Sequence, residues 1–168
     1  MSSTENSSVK QTSSQEKAIA IYQIVGGVLG LVITILFVFG SPHISSIVLV
    51  SLLFPVLLYG FSLFCGFTLY RSGNIFLSVI NQLLQIVFFS VDGILAYKYF
   101  SGAYFSLGIN LLSSNLQVNF GISTWEFGFG AYVQGSNFSL NLVAIFLLFR
   151  LGRIKKQLAR QQMEEKFT

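Results

Sequence analysis

NIFLSVINQLLQIVFFSVDGILAY, residues Asn74 to Tyr97, is the stretch on which the reading of the whole chain turns. It is apolar enough to cross a bilayer, yet it carries Asn74, Ser78, Asn81, Gln82, Gln85 and Asp92. At about 100° per residue on a helix, these six positions fall within roughly 100° of one another. They form one polar stripe on a cylinder of Ile, Leu, Val and Phe. Each unsatisfied polar group in hydrocarbon costs several kcal/mol, so the stripe cannot face lipid. Other helices are expected to cover it, and the rest of the chain to supply them.

Composition points the same way. The 168 residues are 53% hydrophobic and only 10% charged, where a soluble domain carries about 25% charged residues. Mean hydropathy is +0.70. From Ala18 to Tyr70 there is no Asp, Glu, Lys or Arg, a run with room for two helices of about 20 residues each. The net charge of +4 would suggest nucleic acid in a soluble protein. Here the Lys and Arg residues sit at expected membrane boundaries, so topology accounts for them and no nucleic-acid partner is expected. Cys65, the one cysteine, lies inside an expected span and has no internal partner for a disulfide.

Residues 1–17, rich in Ser, Thr and Gln, read as a disordered cytoplasmic tail. The apolar run after them is too long for the core of a signal peptide. The first span is expected at 18–39. Its Gly26 and Gly30, four apart, let two helix backbones approach closely, either within one bundle or between two copies. After a turn at Gly40-Ser41-Pro42-His43, the second span is expected at 46–70, kinked at Pro55. His43, the lone histidine, reads as a solvated loop residue, and no metal site is expected. The striped segment is the third span, 74–97.

Residues 101–136 are the least membrane-like part. Leu116, Val118, Phe120 and Ile122 alternate with polar or small residues, and Trp125, Phe127 and Phe129 do so after them. Period-two alternation is the mark of half-buried strands. A connection near Ser123-Thr124 would make the pair a short β-hairpin-like insertion outside the cytoplasm. One hairpin cannot close a transmembrane barrel. A fourth span is expected at 137–151, continuing at 153–168 as a basic cytoplasmic helical tail. From the end of that span into the tail, Arg150, Arg153, Lys156 and Arg160 recur at helical spacing, suited to anionic lipid.

Lys10, Lys17, Arg71 and the basic residues of the tail fall on one side of this arrangement, and Lys98 alone on the other. The positive-inside bias then places both termini in the cytoplasm of a cell membrane. The expected fold is an all-α, multi-pass membrane protein: a four-helix transmembrane bundle occupying 18–152, with the insertion between its third and fourth helices.

Motifs for chemistry are sparse. No Ser/His/acid set, phosphate-cradling glycine loop or His/Cys/carboxylate cluster is present. No catalytic residue and no cofactor is therefore expected, and an enzyme resting on Asp92 and Glu126 would lack a supporting constellation. Asp92, as an ionisable residue in a span, is a functional candidate by default. Counted along a helix it lies about 27 Å from Asn74, close to the outer edge of the hydrocarbon. Amides at the depth of Gln82 and Gln85 act most often as glue between helices. Gln23, Thr34, Ser62 and Asn141 are candidate partners. The leading expectation is a non-catalytic structural subunit that associates in the lipid bilayer with itself or with a membrane-protein partner. Its alternative is a small transporter or channel subunit whose pathway uses Asn81, Gln82, Gln85 and Asp92.

Ile21-Tyr22-Gln23-Ile24 with Gly26-Gly27, together with Ile80-Asn81-Gln82 and Gln85, resembles what is found in small, uncharacterised bacterial four-pass membrane proteins. The resemblance would cover residues 18–155. It implies four spans with an outward insertion before the last, and no activity.

Overall fold

The computed structural model describes residues 14–40 and 46–167. Most of the N-terminal tail and the turn containing His43 lie outside the described residues. The charge-free run forms two helices of 27 residues each, α1 (Ser14–Gly40) and α2 (Ser46–Ser72). At 1.5 Å per residue each is about 40 Å long, beyond the roughly 30 Å of a hydrocarbon core. Both are long and apolar enough to cross a membrane. They run antiparallel in close contact, and their glycines explain how. A Cβ at Gly27 would meet Leu63 and the carbonyl of Tyr59, and one at Gly66 would meet Ile24 and the carbonyl of Ala20. Pro55 is buried inside α2, which continues through it.

The striped segment departs from the expected span. Helix α3 covers only Ile75–Leu84. Asn74 is its N-cap, with the side chain accepting a 3.0 Å bond from Phe76 N–H. The helix stops at Gln85, whose own N–H bonds to the Gln82 carbonyl at 3.0 Å. Val87–Val91 is then strand β1, and after a turn at Asp92-Gly93 the long strand β2 runs from Leu95 to Asn110. The physical reason lies in Val87-Phe88-Phe89-Ser90-Val91. Its β-branched and aromatic residues suit a pleated surface better than a helix. Gly93, at φ +69°, supplies the left-handed residue that turns the chain back.

The fourth expected span is also replaced. Strand β3 (Leu116–Phe129) leads through a short 3-10 turn to β4 (Asn137–Asn141), and only then does helix α4 (Leu142–Phe167) begin. The chain is therefore not an all-α four-helix multi-pass bundle. Its described residues form four α-helices and a four-stranded antiparallel sheet in the order β1-β4-β2-β3. Among the described residues, two helices meet the length and hydropathy needed to span. Nor do Ser123-Thr124 form a connection, because β3 passes straight through them and pairs along its length with β2.

The sheet closes on itself. Leu95–Tyr97 of β2 pair with β1, Ser106–Asn110 pair with β4, and β1 and β4 pair with each other. This circuit requires β2 to turn a corner, which it does at Ser101-Gly102. There the register with β3 slips between Phe100 and Ala103, so two residues oppose Ser123 alone. That is a β-bulge, the usual device for bending a strand. Gly102 takes φ +88° and Ser123 φ +38°.

The fold thus has two interiors. Ile19, Ala20, Leu69, Ile75, Leu151 and Ile154 form an apolar cluster where α1, α2, α3 and α4 meet. Above it along α1 and α2, a polar centre joins α3 and the β2 corner to both long helices.

Candidate functional site

Helical spacing sets Ser78, Asn81, Gln82 and Gln85 on the buried side of α3. Hydrogen bonds tie three of them to other elements. Ser78 Oγ donates to Gln23 Oε1 of α1 at 2.9 Å. Asn81 Nδ2 donates to Ser62 Oγ of α2 at 3.1 Å. Gln85 Oε1 accepts from the backbone N–H of Ser101, in the β2 corner, at 2.8 Å. Ser62 is the hub. Its hydroxyl donates to the Gln23 carbonyl at 3.1 Å and lies 2.9 Å from the Ser101 hydroxyl. Its single hydrogen being used on Gln23, it accepts from both Asn81 and Ser101. Tyr99 closes the group: its hydroxyl stands 2.8 Å from the Leu58 carbonyl and 3.2 Å from Asn81 Oδ1. Gln23, Ser62, Ser78, Asn81 and Tyr99 are fully buried.

The corner of β2 is held against α1 by a second set of contacts. The Gly102 N–H donates to Ser123 Oγ at 2.9 Å, and Ser123 Oγ donates to the Gly26 carbonyl at 3.1 Å. Tyr22 OH reaches the Ala103 carbonyl at 2.7 Å. A side chain at Gly26 would collide with the backbone of Ser101 and Gly102, and one at Gly30 would collide with the Tyr59 ring. Both glycines of the small-residue spacing are thus occupied within the chain, Gly30 by α2 and Gly26 by the sheet.

The stripe read along the sequence is divided in space. Asn81, Gln82 and Gln85 share the buried centre, whereas Asp92 is exposed in the β1–β2 turn. There its carboxylate accepts a 2.8 Å bond from Gly135 N–H, and its own N–H donates to Ser136 Oγ at 3.2 Å. It ties that turn to the segment entering β4. Gln82 is fully buried, and neither its Nε2 nor its Oε1 meets a hydrogen-bond partner among the described residues. It lies one turn above Val79, which packs on the apolar cluster.

Sequence reasoning did not single out Tyr99 or Ser101, and it read Ser123 as part of a connection between strands. The available signal was Phe100-Ser101-Gly102, which interrupts the alternation of a strand with a flexible residue. Of the candidate partners, Gln23 and Ser62 join the centre. Thr34 instead bonds the Gly30 carbonyl of its own helix, and the Asn141 side-chain carbonyl accepts from Val143 N–H.

The inner face of the strand circuit carries Lys98. Its Nζ sits 5.2 Å from the Phe88 ring centroid and 6.0 Å from those of Phe100 and Tyr104. Register puts Ser139 opposite Phe88 and Asn141 opposite Ser106 on the same side. The ammonium is held by ring faces, a favourable placement for a cation.

Chemically, the centre is an assembly of neutral donors and acceptors. Amides and hydroxyls at hydrogen-bond distance fix backbones relative to one another, and a mispaired member costs its full desolvation. Among the described residues, no group of three or more His, Cys, Asp or Glu is placed to hold a metal ion. Cys65 Sγ is directed at the Leu77 carbonyl, 3.4 Å away. Comparison of the chain with family models, with curated proteins and with solved structures finds no match.

Proposed function

We propose that this chain is a non-catalytic membrane protein that works by association with a second copy of itself, and that strand β3 is the surface through which it associates. The observation that carries this reading is the position of β3. Among the described residues it is the last strand of the sheet and pairs only with β2. Its outer edge therefore presents a row of backbone donors and acceptors. Protected edges carry lysines, prolines or inward charges, but Leu116–Phe129 contains neither Lys nor Pro and one charge, Glu126. Leu116, Val118, Phe120 and Ile122 on its outward face are all more than half exposed. An apolar face with an open edge is unstable in lipid, where backbone groups have no water to bond. Antiparallel pairing of two identical edges satisfies both copies about a two-fold axis.

In this reading α1 and α2 cross the membrane of the cell, and both ends of the chain face the cytoplasm. Support comes from the cations. Lys17, Arg71, Arg150 and Arg153 are all exposed around the end of the molecule where Ile19, Leu69, Leu151 and Ile154 pack, in keeping with the positive-inside bias. The polar centre is the fastening between helices and sheet. Its Asn81 and Gln85 amides bond within the chain, which favours a structural role over a conducting path.

The test is a single-cysteine scan of residues 116–129 in a Cys65→Ser background, with oxidation in the membrane and native mass measurement after extraction. The expected result is a two-chain species and one pivot position that forms a disulfide dimer, with yield falling on either side. Cross-linking at no position, together with a native mass of 18.6 kDa for one chain, overturns the proposal.

A further inference from the structure

We infer that the groove between α1 and α4 is a site for one anionic phospholipid, with Arg150 as the contact to its phosphate. The inference rests on the membrane reading above but not on the β3 interface. The groove has a volume of about 280 Å³. Its walls are Ala18, Ile19 and Tyr22 of α1 and Phe146 and Leu147 of α4, with Gln15 and Arg150 at one end.

The order of these residues matters. On α1 the lining passes from Gln15 through Ala18 to Tyr22, toward the interior of the spanning segment. On α4, from Arg150 back to Phe146, it runs the same way. Both walls therefore change from polar to apolar in one direction, from the cation-ringed end of the molecule toward the middle of the helices. A phospholipid has that same polarity, with a charged head at the surface and an acyl chain directed inward.

The head contact is also prepared. The Arg150 guanidinium carbon lies 5.3 Å from the Phe146 ring centroid, which stacks one face of the group and leaves its N–H edges for a planar or tetrahedral anion. Arg150 is exposed, and Lys17, next to Ala18 on α1, adds a second positive charge at this end. Charge complementarity thus selects an anionic head over a zwitterionic one. The apolar walls select an acyl chain over a free phosphate.

The experiment uses the full-length protein extracted in mild detergent, with dioleoyl phosphatidylglycerol or dioleoyl phosphatidylcholine added, and counts bound lipid by native mass spectrometry. The expected result is a single tightly held phosphatidylglycerol. Arg150→Gln should weaken it about fivefold, the effect of one cation at an anionic surface. Ala18→Leu, which fills the groove, should abolish it. Arg153→Gln, an exposed cation on α4 outside the groove, should change it less than twofold. Equal retention of the two lipids, equal losses for Arg150→Gln and Arg153→Gln, or unchanged binding in Ala18→Leu each overturn the site. Alkaline washing of membranes separates this from the underlying reading. A chain released by the wash fails the membrane reading, whereas a retained chain without lipid preference fails only the groove.

Discussion

The side-chain carbonyl of Gln85 accepts a 2.8 Å hydrogen bond from the backbone N–H of Ser101. Gln85 caps the end of α3, and Ser101 is one of the two bulge residues at which β2 turns its corner. A bulge leaves a backbone group without a ladder partner, and here a glutamine from a helix supplies one. Replacing Gln85 with Leu strands that N–H in a fully buried site. The expected loss is about 1–3 kcal/mol. For a chain of this size each kcal/mol lowers Tm by about 2–4 °C, measurable by thermal unfolding in detergent. Gln85→Glu, which keeps the acceptor but adds a buried charge, should be worse than Leu if the site stays dry.

The glycines of α1 and α2 give an independent comparison. Gly26 abuts the Ser101-Gly102 backbone and Gly30 abuts the Tyr59 ring, whereas a Cβ at Gly60 would meet nothing within 4 Å. Gly26→Ala and Gly30→Ala are therefore expected to destabilise by about 1–3 kcal/mol through overpacking. Gly60→Ala should instead stabilise by about 0.5–1 kcal/mol, because alanine narrows the unfolded ensemble and favours the helix. Gly30→Ala should recover in combination with Tyr59→Leu, since the clash is with a side chain. Gly26→Ala has no such remedy, because it meets backbone. Thermal unfolding of the three single variants and the one double variant separates these outcomes.

How far the sequence reveals this architecture varies along the chain. The stretch from Ala18 to Tyr70 lacks any charge, and hydrophobic length alone identifies the two long helices. The grouping of Ser78, Asn81, Gln82 and Gln85 is equally visible, because helical spacing holds as far as Gln85. Beyond it the reading fails for a physical reason. A continuous apolar run gives a helix and a buried strand the same signature, so Ile86–Val91 looks like more helix. Asp92-Gly93, a strong turn pair when flanked by strands, is masked by reading those flanks as helix. Asp92 then appears to be an ionisable residue in a span, whereas it bonds Gly135 N–H in an exposed turn. The same ambiguity hides β4 at the start of the supposed fourth span. Alternation in 116–129 does announce strand, but not its partner. That partner, β2, begins inside the segment read as the third helix.

Gln82 stands apart from its neighbours on α3, and the difference has an opposite sign in stability. Asn81 and Gln85 exchange hydrogen bonds with α2 and β2, while the Gln82 amide is fully buried with neither polar atom partnered. A buried amide without partners costs about 1–3 kcal/mol relative to an apolar group of the same shape. Methionine matches glutamine in length and flexibility and fills irregular gaps well. Gln82→Met is therefore expected to raise Tm in detergent, by several degrees at the 2–4 °C per kcal/mol typical of this size. Asn81→Leu and Gln85→Leu should lower it. Measured side by side, the three variants distinguish a bonded amide from a stranded one on the same helix face. A fall in Tm for Gln82→Met would mean that the amide does have a partner.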